Sequence, residues 1–135
     1  MLPLDAETAV MEILRADPAF ADVSMGTLVP GDLEARLPFV HVARADGRIS
    51  TPVWGTGPMK DTATLALTTW QRDLSEARRF AGTVVWTILR RPACPLSDGS
   101  TLVRAHHIAG PNQVGDAYGP AATYRFVSTI TTTIH

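Results

Sequence analysis

Three short stretches hold the residues whose types and spacing could do chemistry. In "LVRAHHIAGPNQ" (102–113) two histidines, His106 and His107, stand side by side before a Gly-Pro turn. Imidazoles are common zinc ligands and general bases. The surrounding pattern is that of a strand, however, where neighbouring side chains point to opposite faces, so one ion cannot take both without a bulge. Helical His-x-x-x-His spacing and paired cysteines are missing. The pair therefore reads as structural or surface histidines, with His41 a residue that could approach one of them across the sheet. His135 ends the chain as a frayed residue. Cys94 sits in "RRPACPLSDG", a proline-punctuated loop with no evident helix N-terminus beside the thiol to lower its pKa. The glycines and Lys60 of "WGTGPMKD" lack Walker spacing and a following Ser or Thr, and Pro58 removes a donor that a phosphate cradle needs. The carboxylates are scattered, with no pair at a spacing that implies acid–base work. No catalytic residue, metal ligand or cofactor site is expected. The chain reads as a protein that is not an enzyme.

The elements that must position these residues fit one domain of 135 residues, spanning 1–135, long enough to bury a core without staples. Twelve basic and thirteen acidic residues give a net charge of -1, which disfavours a protein that grips DNA through clustered cations. The lone cysteine excludes an intramolecular disulfide and suits a reducing cytoplasm. "MLPLDAETAV" has no basic n-region followed by an apolar h-region, so no secretory signal is expected. The longest uncharged apolar run, "FAGTVVWTIL", falls well short of the roughly 20 residues of a membrane span.

A short first helix is capped by Asp5 and stopped at Asp17-Pro18, with Val10, Ile13 and Leu14 on one face. "LPFVHVARADG" is a strand entered through Pro38 and left through an Asp46-Gly47 turn. Its Phe39, His41, Ala43 and Ala45 oppose Val40, Val42 and Arg44. "DGRISTPVWGTGPMKD" reads largely as a long loop, although "RISTPVW" could pair as a strand. "TATLALTTW" is a second strand, feeding a long helix of about 73–91. Asp73 with Glu76 resembles a capping box. Leu74, Ala77, Phe80, Ala81, Val84, Val85, Ile88 and Leu89 form its apolar face. Arg90 and Arg91 suit its last turn, Pro92 ends it, and Gly82 within it suggests close packing. After the "SDGS" turn come the strand "TLVRAHHIA", a polar Gly/Pro loop, and the closing strand "ATYRFVSTITTTIH". The order predicts an α+β domain with a mostly antiparallel, mixed sheet and both helices on one face.

The three tryptophans are the more informative residues. Trp70 and Trp86 read either as peripheral core or as residues buried against another subunit, since Trp is enriched in interface hot spots. Trp54 lies in a Gly/Pro loop with few neighbours to cover it, which favours an interface. The candidate protein–protein contacts are Arg48, Trp54, Met59, Lys60 and Trp86, with the loop Arg48 to Asp61 as their centre.

Three of these segments carry a family resemblance. "LPFVHVARADG", "TATLALTTWQRDLSEARRFAGTVVWTILRR" and "ATYRFVSTITTTIH" resemble the tail terminator proteins of long non-contractile-tailed phages. A Leu-Pro-led strand ends in a Gly turn there, a second strand runs through a charged link into an Ala-rich helix, and an aromatic-Arg-aromatic strand closes the chain. The resemblance covers most of the chain from Leu37 onward, plus the leading helix. The segment from Phe20 to Arg36 and the polar, Thr-rich end fit it loosely.

That resemblance implies a virion protein of the tail and neck, assembled in the host cytoplasm. Its partners would be copies of itself in a homohexameric ring, the major tail tube protein, and a head-completion or connector protein. DNA would cross the lumen without specific binding, and neither a membrane nor a cofactor is involved. A closed ring needs a heterologous interface and edges that are paired or blunted, and the Thr-rich last strand is a candidate edge. Two other readings compete. One is another neck component, such as a head-completion or adaptor protein. The other is a small ligand-binding or metal-dependent α+β protein, which would need a pocket with converging polar groups.

Overall fold

A computed structural model describes residues 5–50, 60–91, 94–97, 99–115 and 123–135, with the backbone alone for 47–50 and 94. One six-stranded sheet carries two helices on one face. Helix α1 is Ala6–Arg15; 3-10 turns at Pro18–Phe20 and Leu33–Arg36 flank strand β1, Ser24–Gly26. Then follow β2 (Phe39–Ser50), β3 (Lys60–Gln71), α2 (Leu74–Leu89), β4 (Cys94–Pro95), β5 (Thr101–Val114) and β6 (Tyr124–Ile134). The order across the sheet is β1-β2-β3-β6-β5-β4. Among the described strands only β1 and β2 run parallel. This is the α+β architecture the sequence predicts.

Period-two alternation makes the core. Val40 and Val42 of β2, Ala63, Leu65 and Leu67 of β3, and Ile130 and Ile134 of β6 are buried with the inward faces of both helices. Each such Val, Leu or Ile contributes about 1.5–3 kcal/mol of burial. Helix α1 presents Ala6, Ala9, Val10, Ile13 and Leu14; α2 presents Val84, Val85 and Ile88, and Ala77 and Ala81 pack on Phe126. Local signals set the helix starts. Asp5 accepts from the Glu7 N–H and Asp73 from the Glu76 N–H, both at 3.0 Å.

Several sequence expectations are corrected. Strand β2 does not end at Asp46-Gly47: a bulge between Arg44 and Asp46 takes up one residue, and Gly47 pairs with Ala63 as the strand continues to Ser50. Strand β5 likewise runs through Gly110-Pro111 to Val114, using irregularities between His107 and Asn112. The Thr-rich β6 is no edge. It lies between β3 and β5, and Thr129, Thr131 and Thr133 stand on the uncovered face, with Thr133 opposite Thr62 and Thr131 opposite Thr64, while Thr132 is buried on the helix side opposite Ala63. Threonine fits this position because a β-branched side chain packs well on a pleated surface while its hydroxyl tolerates water. Helix α2 stops at Leu89, so Arg90 and Arg91 lie at and beyond the cap, where both reach Asp17 (2.9 and 3.9 Å). Gly82 is not a close-packing site, since a Cβ there would meet nothing within 4 Å.

Candidate protein–protein interface

His135, expected to be frayed, instead pairs through its backbone with Thr101 in both directions, at 2.9 and 3.0 Å. His106 faces the uncovered side, paired opposite Thr131, while His107 faces α2, opposite Ile130. The Nε2–H of His107 donates to the carbonyl of Gly110 at 2.7 Å, and that of His41 to the carbonyl of Thr27 at 3.0 Å. A nitrogen that donates to a carbonyl is not offering a lone pair to a metal. His41 does not approach the pair, because β3 and β6 separate β2 from β5; its ring neighbour is Trp70. Among the described residues no group of three or more His, Cys, Asp or Glu is placed to hold a metal ion. The side chain of Cys94 lies outside the described residues.

The tryptophans part company. Trp70 is buried with Phe39 and Leu33, as peripheral core. Trp86 is not core: it is 61% exposed on the outer side of α2. The helical spacing explains why. Val84, Val85 and Ile88 take the sheet-facing arc, and residue 86 is carried about 100° beyond Val85. Beside Trp86, Gly82 leaves a gap in the helix surface. Gly82, Val85, Trp86, Leu89, His107, Gly110 and Pro111 line an open, mainly apolar hollow of about 190 Å³. Strand β5 forms its far wall. Gly110 adopts φ +86°, and a Cβ there would collide with the Val127 carbonyl oxygen, so this close approach requires glycine.

Strand β5 also offers an edge. Short β4 pairs only with Thr101 and Leu102. Beyond them Val103 (42%) and Ile108 (58%) are exposed. Bulges and Pro111 interrupt this edge, the usual devices against indiscriminate strand pairing. At the other side of the sheet Leu28 is 82% exposed and Val29 47%, just after β1. Sequence reasoning missed both, since they fall in the segment where no pattern was found. The available signal was an aliphatic pair set between Gly26 and Pro30-Gly31.

Of the contact residues expected from sequence, Trp86 and Lys60 are exposed. Lys60 opens β3 opposite Ser50, and the Arg48 backbone pairs with Thr62. Trp54 and Met59 lie outside the described residues, as does the Arg48 side chain. The structure thus places Lys60 and Arg48 on adjoining strands of a long β2–β3 hairpin. Trp86 is on a different element, α2.

Two charge pairs are anchored on buried carboxylates, those of Asp61 and Asp17. Arg44 makes a bidentate bridge to Asp61, 2.8 Å on each arm, with the Asp61 side chain 3% exposed. Asp61's hydrogen bonds raise the Arg44 pKa. Asp17 is held below the usual carboxylate range, first by the Ala19 N–H and then by Arg90, against the opposing effect of its burial. Neither pair lines the hollow.

No family model and no curated protein matches this sequence. Solved structures do. The chain is similar to one in a structure described as the virion of a native gene transfer agent particle, with a TM-score of 0.60 and 17% identity. The match covers 96% of this chain and 93% of that one. The likeness is one of fold. It spans nearly the whole of both chains.

Proposed function

We propose that this chain is a structural protein of a phage-type virion and, more narrowly, a tail terminator. In that role, copies form a ring that caps the tail tube, stops its polymerisation and offers the surface on which the head docks. The observation that carries the reading is the end-to-end fold likeness to a chain of a gene transfer agent virion, 96% of this chain being covered. The three sequence segments that resemble tail terminators support the narrower form.

The surface is consistent with a part that works by shape. Among the described residues the most exposed large apolar side chains, Leu28 and Trp86, lie away from the core. The described histidine rings at 41 and 107 are engaged with backbone carbonyls. A terminator binds purified tail tubes and blocks their further growth. An adaptor or head-completion protein, the nearest competing reading, binds portal rings instead. Co-sedimentation with each separates the two, and binding to neither overturns the proposal.

A further inference from the structure

Phe39 and Trp70 stand opposite each other in the β2–β3 ladder. Val40 and Val42 of β2 point into the main core under the helices, so alternation puts Phe39 and Trp70 on the face that the helices leave bare. Both are nevertheless buried, at 3% and 4% exposure. Among the described residues their apolar cover comes from Leu33 and, in part, Leu37. Both leucines belong to residues 27–37, which lie between β1 and β2 and cross this end of the bare face. The cluster is separate from the main core.

Little else ties these residues down. Among the described residues no backbone hydrogen bond joins 28–37 to the sheet, and the bond from the Ala35 N–H to the Asp32 carbonyl at 3.0 Å is local. The ion pair of Arg36 with Asp32 is local too. Two side chains reach across from the sheet. Arg72, just after β3, donates through Nη2 to the Glu34 carbonyl at 2.6 Å, and His41 donates through Nε2 to the Thr27 carbonyl at 3.0 Å. Both bonds are exposed, so water replaces them at small net cost.

We infer that residues 27–37 form a strap that opens as a unit while the sheet and both helices stay folded, baring the Phe39–Trp70 pair. Opening gives up the Leu33 cluster and two solvent-exposed bonds and leaves every residue of the main core in place. A segment with few buried contacts and no ladder bonds opens at a fraction of the cost of global unfolding. The open state presents two aromatic rings on a face whose neighbouring β3 positions are Thr64, Ala66 and Thr68. The strap is thus a cover over a concealed apolar site, and the inference stands apart from the proposed function.

The test labels the full chain with 5-fluorotryptophan and follows the Trp70 fluorine resonance, assigned by its loss in Trp70→Phe, through a urea titration. Far-UV circular dichroism of the same samples reads the helices. The Trp70 signal should move toward its solvent-exposed position at lower urea than the dichroism transition. Leu33→Ala should raise the open fraction at least about tenfold and leave the dichroism midpoint in place, because the strap is already open when the core unfolds. Coincident transitions in the wild type, with Leu33→Ala lowering both midpoints together, would make the strap part of the global unit and overturn the inference. So would a Leu33→Ala chain that fails to fold, or one whose Trp70 signal is unchanged.

Discussion

The carboxylate of Glu7, in the first turn of α1, accepts a hydrogen bond from the backbone N–H of Arg44 in β2 at 2.9 Å. The donor is a main-chain group of a strand whose partner on that side, β1, reaches only from Phe39 to His41. A helix side chain thus occupies a sheet position that another strand could have taken. This is how the fold closes one edge that would otherwise recruit chains without discrimination.

Replacing Glu7 with Ala should therefore have two effects. Stability falls by about 1 kcal/mol, the typical net worth of such a bond, as read by urea denaturation. Light scattering should also show more non-specific association, since the freed N–H can template strand pairing. A stability loss without added association would mean that the β2 edge is guarded elsewhere.

Arg44 and Asp61 predict a larger effect. Asp61 is nearly inaccessible, and Arg44→Met strands its carboxylate without a partner. The expected loss is about 3 kcal/mol, the low end for breaking a buried pair because Arg44 is itself partly exposed. Adding Asp61→Leu to Arg44→Met should recover most of it, as seen in denaturation midpoints.

Asp17 gives the pH dependence. Its folded-state pKa lies below the unfolded one, so its contribution is complete above about pH 4–5 and is lost as pH falls through the folded value. Melting temperature should drop below about pH 4. Asp17→Asn should flatten that part of the curve and lower stability at neutral pH, through loss of the charge that Arg90 and Arg91 face.

Two glycines should respond in opposite directions. Gly82→Ala meets open space within a helix and should stabilise by about 1 kcal/mol, the propensity gain over glycine. Gly110→Ala meets the Val127 carbonyl at a positive φ and should destabilise, through displacement of β5 from β6. Thermal melts of the pair make the comparison. Equal and small shifts in both would contradict the described backbone at Gly110.

Much of this architecture was legible in residue order. The caps at Asp5 and Asp73, the apolar face of α2, and the opposed faces of His106 and His107 all follow from local periodicity and hydrogen-bonding chemistry. Those signals span only a few residues, so sequence carries them intact. Strand ends were less legible. Gly47 and Gly110-Pro111 look like turns, yet a bulge in one case and ladder irregularities in the other keep both inside strands.

What only the tertiary structure decided is who neighbours whom. The Thr-rich β6 looks like an edge because half its side chains are polar. Its central place follows from pairing with β3 and β5, a non-local fact that alternation cannot encode. The same holds for Trp86, whose exposure depends on which arc of α2 the sheet accepts. Sequence alone determined the elements and their inward faces, because those are set by the bonds and periods of a single segment. Which elements become neighbours was decided by strand order, because that depends on segments that meet only when the sheet is assembled.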